Sequence, residues 1–251
     1  MMRFLAHWSY SLFPGKCMLC LGATQRRLDL CRACEADLPT TPNPCLRCGQ
    51  QTLAAAPVCH LCQLTPPPFR RTFSAFAYSS PVDQLISEFK NNHQRRVGHV
   101  LAVVLAQRYQ RWRLQQEQQQ EQVAATAGVD LLVPMPLHEN RQRQRGFNQA
   151  NDISLQIGHQ SAIAVDAGLC RRIKETAAQK GLSATARQKN IQQAFVVSRR
   201  LSGLRVAIVD DVLTTGATVA ELSRMLLRAG ARSVDIITLA RTAPPRIPGN
   251  S

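Results

Sequence analysis

The chain is poor in aromatic residues and in acids. Aromatic side chains make up 5% of its 251 residues, and 16 Asp and Glu stand against 31 Lys and Arg. Few aromatics leave few platforms for stacked bases, which argues against tight single-strand binding by stacking alone. The deficit of acids leaves a formal net charge of +15. A field of that sign attracts polyanions such as nucleic acid, nucleotides and diphosphates, although a solvated basic surface has the same composition. No run of about 18 apolar residues occurs, so no membrane-spanning helix is expected. No G-x-x-x-x-G-K-[ST] pattern occurs either, which excludes a Walker-type phosphate loop. Met1 to Phe13 lacks the marks of an export signal. It carries only Arg3, is interrupted by His7, Ser9 and Ser11, and runs into Pro14-Gly15-Lys16-Cys17 where a small-residue cleavage site would stand. It reads as a short amphipathic helix, and a cytoplasmic location is expected.

What the chain does have is cysteine, concentrated at one end. Eight of its nine cysteines form four C-x-x-C pairs: Cys17/Cys20, Cys31/Cys34, Cys45/Cys48 and Cys59/Cys62. The first two pairs recur 28 positions later, so each half reads C-x2-C-x10-C-x2-C, with Pro39, Pro42 and Pro44 between the halves. In a protein that is not exported this pattern points to metal rather than disulfides. Two C-x-x-C knuckles complete one tetrahedral four-thiolate site, so eight thiolates hold two Zn2+ ions with no open position, which makes them structural. A redox dithiol and an iron–sulfur cluster are the other readings, but four pairs are too many for a thioredoxin-like site. Sequential pairing (Cys17, Cys20, Cys31, Cys34 and Cys45, Cys48, Cys59, Cys62) is the simpler arrangement; cross-bracing is also allowed by the repeat. His60 is surplus to four thiolates, and Cys170, alone in an apolar setting, reads as inert core.

Beyond the cysteines the patterning changes. Arg70–Tyr78 alternates as a strand; Val82–Phe89 and Val97–Trp112 have helical spacing. Gln115–Gln122 is low-complexity and reads as a solvated extension of the preceding helix or a linker. From Asp130 onward come a strand at Leu131–Val133, a helix at Asn148–Ile157, strands near Leu169–Ile173 and Phe195–Val197, a strand at Arg205–Val209, a helix at Val219–Ala229 and a strand at Val234–Leu239. The last three form a βαβ unit and therefore imply a parallel sheet.

The richest stretch runs from Val206 to Thr218. Asp210 and Asp211 stand at the carboxyl end of an apolar strand, where open α/β sheets bind ligands. Thr214, Thr215, Gly216, Ala217 and Thr218 then form a small-residue loop entering a helix. Unpaired amides at a helix N-terminus and the three hydroxyls suit a phosphate, and Gly216 lets the loop close around it. Carboxylates repel phosphate, so the acids are assigned to sugar hydroxyls or to Mg2+ held through water. Together these features describe a sugar phosphate site. Upstream, Arg141, Arg143 and Arg145 lie at alternate positions after Val133-Pro134-Met135-Pro136-Leu137-His138, in what reads as a loop. Arginine forks match phosphate oxygens, so this cationic arm is a candidate clamp for a diphosphate.

The Val206–Thr218 stretch resembles the phosphoribosyl pyrophosphate signature of type I phosphoribosyltransferases. The resemblance implies that Asp210 and Asp211 contact the ribose hydroxyls, that residues 214–218 hold the 5′-phosphate, and that Mg2+ accompanies the diphosphate. With V-P-M-P-L-H, R-x-R-G-F-N-Q (Arg143 to Gln149) and the four C-x-x-C pairs, nearly the whole chain is similar to the ComF family; Gln179, Leu182-Ser183, Arg187, Asn190 and Ala194-Phe195 match too. The family implies an α/β fold of the type I phosphoribosyltransferase kind and a role in DNA utilization or competence. The expected division is a Cys-rich module over 1–66, hood or connector helices over 67–112, a linker over 113–128, the core over 129–243 and a tail over 244–251. Three functions stay open: a phosphoribosyltransferase with an unidentified acceptor, a single-stranded DNA-binding factor working with DNA-uptake proteins, and a ligand-sensing adaptor.

Overall fold

The computed structural model describes residues 15–24, 26–52, 56–91, 94–119, 128–174 and 194–244. The helix expected over Met1–Phe13, the end of the glutamine-rich stretch, the matches at Gln179, Leu182, Ser183, Arg187 and Asn190, and the tail beyond Pro244 lie outside the described residues.

The 28-residue repeat folds as two copies of one small unit. In the first, β1 (Gly15–Lys16) pairs antiparallel with β2 (Ala23–Thr24), and α1 (Arg32–Ala36) follows. In the second, Pro44 bridges Gln51, and α2 (His60–Leu64) follows. The hydrogen bonds repeat with the sequence. Leu21 N–H donates to Cys17 O as Gly49 N–H does to Cys45 O, and Met18 N–H donates to Asp29 O as Leu46 N–H does to Pro57 O.

The main sheet contains β3 (Arg71–Ala77), β4 (Leu131–Pro134), β5 (Ala164–Val165), β8 (Arg205–Leu213) and β9 (Ser233–Arg241) in the order β3-β9-β8-β4-β5, every neighbouring pair parallel. A separate antiparallel pair joins β6 (Cys170–Arg172) to β7 (Phe195–Val197). The helices are α3 (Val82–Asn91), α4 (Arg95–Gln119), α5 (Glu139–Arg145), α6 (Gln149–Ser161) and α7 (Ala217–Arg228). The apolar run in β8 is explained by burial on both faces. Ala207 and Val209 pack with Leu101, Leu105, Ile153 and Ile157 of α4 and α6, whereas Val206 and Ile208 pack with Val219, Leu222 and Leu226 of α7. Burying each of these larger aliphatic side chains contributes about 1.5–3 kcal/mol.

The 67–112 segment, expected to supply connector helices, also supplies an edge strand of the main sheet. β3 is tied to β9 by Arg70 and Arg71, which both pair with the buried Asp235 at 2.8–2.9 Å. The Cys-rich module covers the outer side of β3. Thr72 N–H donates to Leu46 O at 2.9 Å, Ala77 N–H donates to Pro39 O at 2.9 Å, and Arg108 joins Ala75 O to Glu35 O. An exposed sheet edge would invite pairing with another chain, and this contact removes it. Among the described residues no helix is long and apolar enough to cross a membrane.

Candidate functional site

The strand expected over Arg205–Val209 runs on to Leu213, because β9 continues beside it: Asp210 pairs with Thr238, and Leu213 with Arg241. Asp210 and Asp211 therefore lie within β8, and successive strand residues point to opposite faces. Asp211 is on the face of Ala207 and Val209, where Lys90 Nζ of α3 lies 2.8 Å from its Oδ1. Asp210 is on the other face, toward β6 and β7. Its Oδ1 accepts the Asp211 N–H at 2.9 Å. Burial and the neighbouring Asp211 charge push the Asp210 carboxyl up to about 7, against the opposing pull of Lys90, the Asp211 amide and Arg172 of β6. The acid pair straddles the carboxyl edge of the sheet, with a cation on each side.

The loop follows at once. Thr214 and Thr215 are exposed, and Gly216 takes φ 81°, the left-handed region that glycine enters without strain. The helix begins at Ala217, two residues before the Val219 start expected from sequence, with Gly216 as its N-cap and no side-chain capping bond. Ala217 N–H makes only a long contact, 3.4 Å, to Thr215 Oγ1. The amides of Thr218 and Val219 have no acceptor within the helix, since first-turn residues lack one. Partial positive charge at this end adds to the attraction for an anion.

The cationic arm is not a loop. Residues 139–145 form α5, capped by His138, whose side chain accepts from Asn140 N–H, and closed by Gly146 at φ 70°. Glu, Gln and Arg are good helix formers, and neither Gly nor Pro interrupts them. In a helix, alternate residues diverge while residues four apart share a face. Arg143 accordingly points to solvent beside Glu139, 3.9 Å away, and Arg145 donates to Gln149 Oε1 at 3.2 Å. Arg141 bears on the site: burial and the Arg141 charge lower the pKa of Arg172, which Asp210 raises. The three arginines do not form one clamp.

Asn148 of the R-x-R-G-F-N-Q motif has a structural role. Asn148 caps α6 by accepting from Ala150 N–H and donates to Met135 O, fixing the chain after β4. Gln149 is buried, and its Nε2 has no hydrogen-bond partner among the described residues. Sequence reasoning missed Lys90 and Arg172. Lys90 follows the core residue Phe89 on a helix far along the chain, and nothing local marks it as a partner for Asp211.

The cysteine tetrads are sequential, not cross-braced: Cys17, Cys20, Cys31, Cys34 and Cys45, Cys48, Cys59, Cys62, each with all sulfurs within 4.8 Å of one another. Cys20 and Cys31 sulfurs are 3.8 Å apart, and Cys48 and Cys59 sulfurs 3.7 Å. A tetrahedral ion with Zn–S bonds of about 2.3 Å requires sulfur separations of about 3.8 Å, so the donor sets fit Zn2+. The cysteine repeat thus holds two structural zinc sites. A cavity of about 660 Å3 separates the second site from the ligand loop, bounded by Cys48, Leu61, Phe69, Thr214, Ala217 and Arg224.

Comparison with known proteins agrees with this division. Residues 9–63 match the double zinc ribbon domain, and residues 144–248 match the phosphoribosyl transferase domain. The chain is 34% identical to the DNA utilization protein YhgH of Salmonella typhimurium, covering 95% of this chain and 92% of that protein. It is 30% identical to the Escherichia coli protein of the same name, over 91% and 98%. It is 31% identical to competence protein F of Haemophilus influenzae, over 92% and 99%. Among solved structures, glutamine phosphoribosylpyrophosphate amidotransferase from B. subtilis is similar at 18% identity and TM-score 0.34, over 55% of this chain and 25% of that one, a likeness too distant to carry an argument. By its near full-length identity to these relatives, the chain belongs to the family of YhgH and competence protein F, with a double zinc ribbon joined to a phosphoribosyltransferase-type domain.

Proposed function

We propose that the chain binds 5-phosphoribosyl diphosphate with Mg2+ at the carboxyl end of β8 and transfers its phosphoribosyl group to an acceptor, in the service of DNA utilization. The observation that carries this reading is the acid pair Asp210–Asp211 followed within the same turn of chain by the uncapped N-terminus of α7. The amides of Thr218 and Val219 and the Thr214, Thr215 and Thr218 hydroxyls would take the 5′-phosphate. The acids would take the ribose hydroxyls and hold Mg2+ through water, a hard cation suited to oxygen donors. As the bond to the diphosphate breaks, positive charge develops on the ribose and negative charge on the leaving group. The carboxylates stabilise the first, and Arg172 near Asp210, with Arg141 near Arg172 in turn, would meet the second. Calorimetry with 5-phosphoribosyl diphosphate, with and without Mg2+, tests this. Binding by the wild type that is lost in the Asp210→Asn/Asp211→Asn variant supports it, and no binding by the wild type refutes it.

A second reading, direct binding of single-stranded DNA, is favoured by the net charge of +15. Contacts to phosphates release counterions, so affinity should fall steeply with salt. A flat salt dependence would remove it.

A further inference from the structure

Arg241, the last residue of β9, is 6% exposed. Its Nε donates to Cys48 O at 2.8 Å, while Nη1 donates to Leu213 O at 2.7 Å and to Thr214 O. One guanidinium therefore fastens the knuckle of the second zinc ribbon to the start of the ligand loop. The knuckle also lies against the arginine stem: a Cβ on Gly49 would sit 3.7 Å from Arg241 Cδ. The remaining partners of this cation are Thr242 O and Thr242 Oγ1, so among the described residues it faces carbonyls and a hydroxyl with no carboxylate. A buried charge needs an opposite one nearby. The second tetrad supplies it, because four thiolates around Zn2+ form a formally dianionic cluster.

We propose that Arg241 is a positioning residue that couples the second zinc ribbon to the Leu213–Gly216 segment, holding that loop in the form that takes an anionic ligand. Zinc in the second site keeps Cys48 O in place and balances the guanidinium charge; the guanidinium in turn fixes two successive carbonyls at the base of the loop. The zinc ribbon thus sets the order of the ligand site as well as folding its own segment. The identity of the ligand rests on the proposed function; the coupling itself does not.

Amide hydrogen exchange on the full zinc-loaded chain, without ligand, tests the coupling. Arg241→Gln, with metal analysis still finding two zinc ions, should speed exchange at residues 214–219 about tenfold. Arg241→Lys keeps the charge but cannot span both carbonyl groups, and should speed the same amides. Cys59→Ser should do so as well, whereas Cys31→Ser in the first tetrad should leave them unchanged. Unchanged exchange in Arg241→Gln overturns the proposal, and so does equal loosening by Cys31→Ser. Should Cys59→Ser fail to fold, the two arginine variants decide alone. Titrating the same samples with 5-phosphoribosyl diphosphate separates the two ideas: a wild type that does not bind it, yet whose loop responds to Arg241→Gln, refutes the ligand and keeps the coupling.

Discussion

Lys90 Nζ and Asp211 Oδ1 meet at 2.8 Å, a contact between helix α3 and the carboxyl end of β8 that the family motifs alone do not mark. Both side chains are mostly buried, with 23% and 14% exposure. Replacing Lys90 with Met leaves a mostly buried carboxylate unpaired and should cost on the order of 1–3 kcal/mol of stability, read from urea unfolding. It should also move the Asp210 titration upward, because Lys90 holds the Asp210 pKa down. Carbon NMR of the aspartate carboxyls reads that movement, and a downward shift would contradict the arrangement.

Asp210 gives a pH dependence of defined sign. Its carboxyl is pushed up to about 7 from 3.8 by burial and by Asp211. A group whose folded-state pKa lies above its unfolded value contributes stability that is present below the unfolded pKa and lost as pH rises through the folded one. Stability should therefore decline between about pH 4 and pH 7, and Asp210→Asn should flatten that decline and raise stability at pH 8. Ligand binding runs the other way. A ligand that needs the ionised acid should lose affinity about tenfold per pH unit below the transition. Calorimetry at about pH 6 and about pH 8, on either side of that transition, checks this. Equal affinities at the two would exclude a role for ionised Asp210.

Gly216 isolates the backbone from the side chain. A Cβ there would meet nothing closer than Leu213 Cδ1 at 3.9 Å, so space is available and the cost of substitution is the left-handed conformation itself. Gly216→Val should lose about 1–2 kcal/mol and weaken phosphate binding, whereas Gly216→Asn, which tolerates that region, should recover most of both. Equal effects of Val and Asn in thermal unfolding would mean that the loop has moved to another backbone conformation.

Much of this site is legible in the chain itself, for local reasons. The continuous apolar run of a strand buried on both faces, the glycine turn and the approach to the helix are all written within Val206–Thr218, and the cysteine repeat carries its own geometry down to matching hydrogen bonds 28 residues apart. What is not legible depends on contacts between distant segments. Lys90, Arg172 and Arg241 look like ordinary basic residues until α3, β6 and β9 are brought to the same edge of the sheet. The arginine arm misleads for a different reason. Alternating charge resembles a loop, but the capping by His138 and Gly146 makes a helix and turns Arg143 away from Arg141.

The cysteines divide by chemistry into eight and one. Cys170 lies apart from both tetrads, buried, with its thiol pushed up to about 12 by that burial and by Asp166. A thiol reacts as the thiolate, so it should be inert in the folded chain. A thiol reagent should label nothing in the zinc-loaded protein, the eight tetrad cysteines after strong chelation, and Cys170 only after denaturant is added. Mass spectrometry reads each step. Labelling of Cys170 on chelation alone would mean that the zinc ribbons hold the whole sheet together and not only their own segment.

Asp235 is the structural counterpart of Asp210, and the two should respond oppositely to the same change. Asp235 is 7% exposed at its side chain and accepts from Arg70 at 2.9 and 2.8 Å and from Arg71 at 2.9 Å, locking the edge strand β3 to β9. Asp210 has no such bidentate partner among the described residues and is penalised by burial. Asp235→Asn keeps the shape but strands two partly buried guanidinium groups, and breaking a buried pair in this way costs about 3–5 kcal/mol. Asp210→Asn removes an unfavourable charge and should stabilise the chain above the Asp210 transition. Removing Arg70, Arg71 and Asp235 together for apolar residues should recover much of the first loss, because no unpaired charge then remains. Urea unfolding of the single and combined variants decides the matter. If Asp235→Asn is neutral, the cluster does not hold β3, and the edge strand depends on the zinc ribbon packed against its outer side.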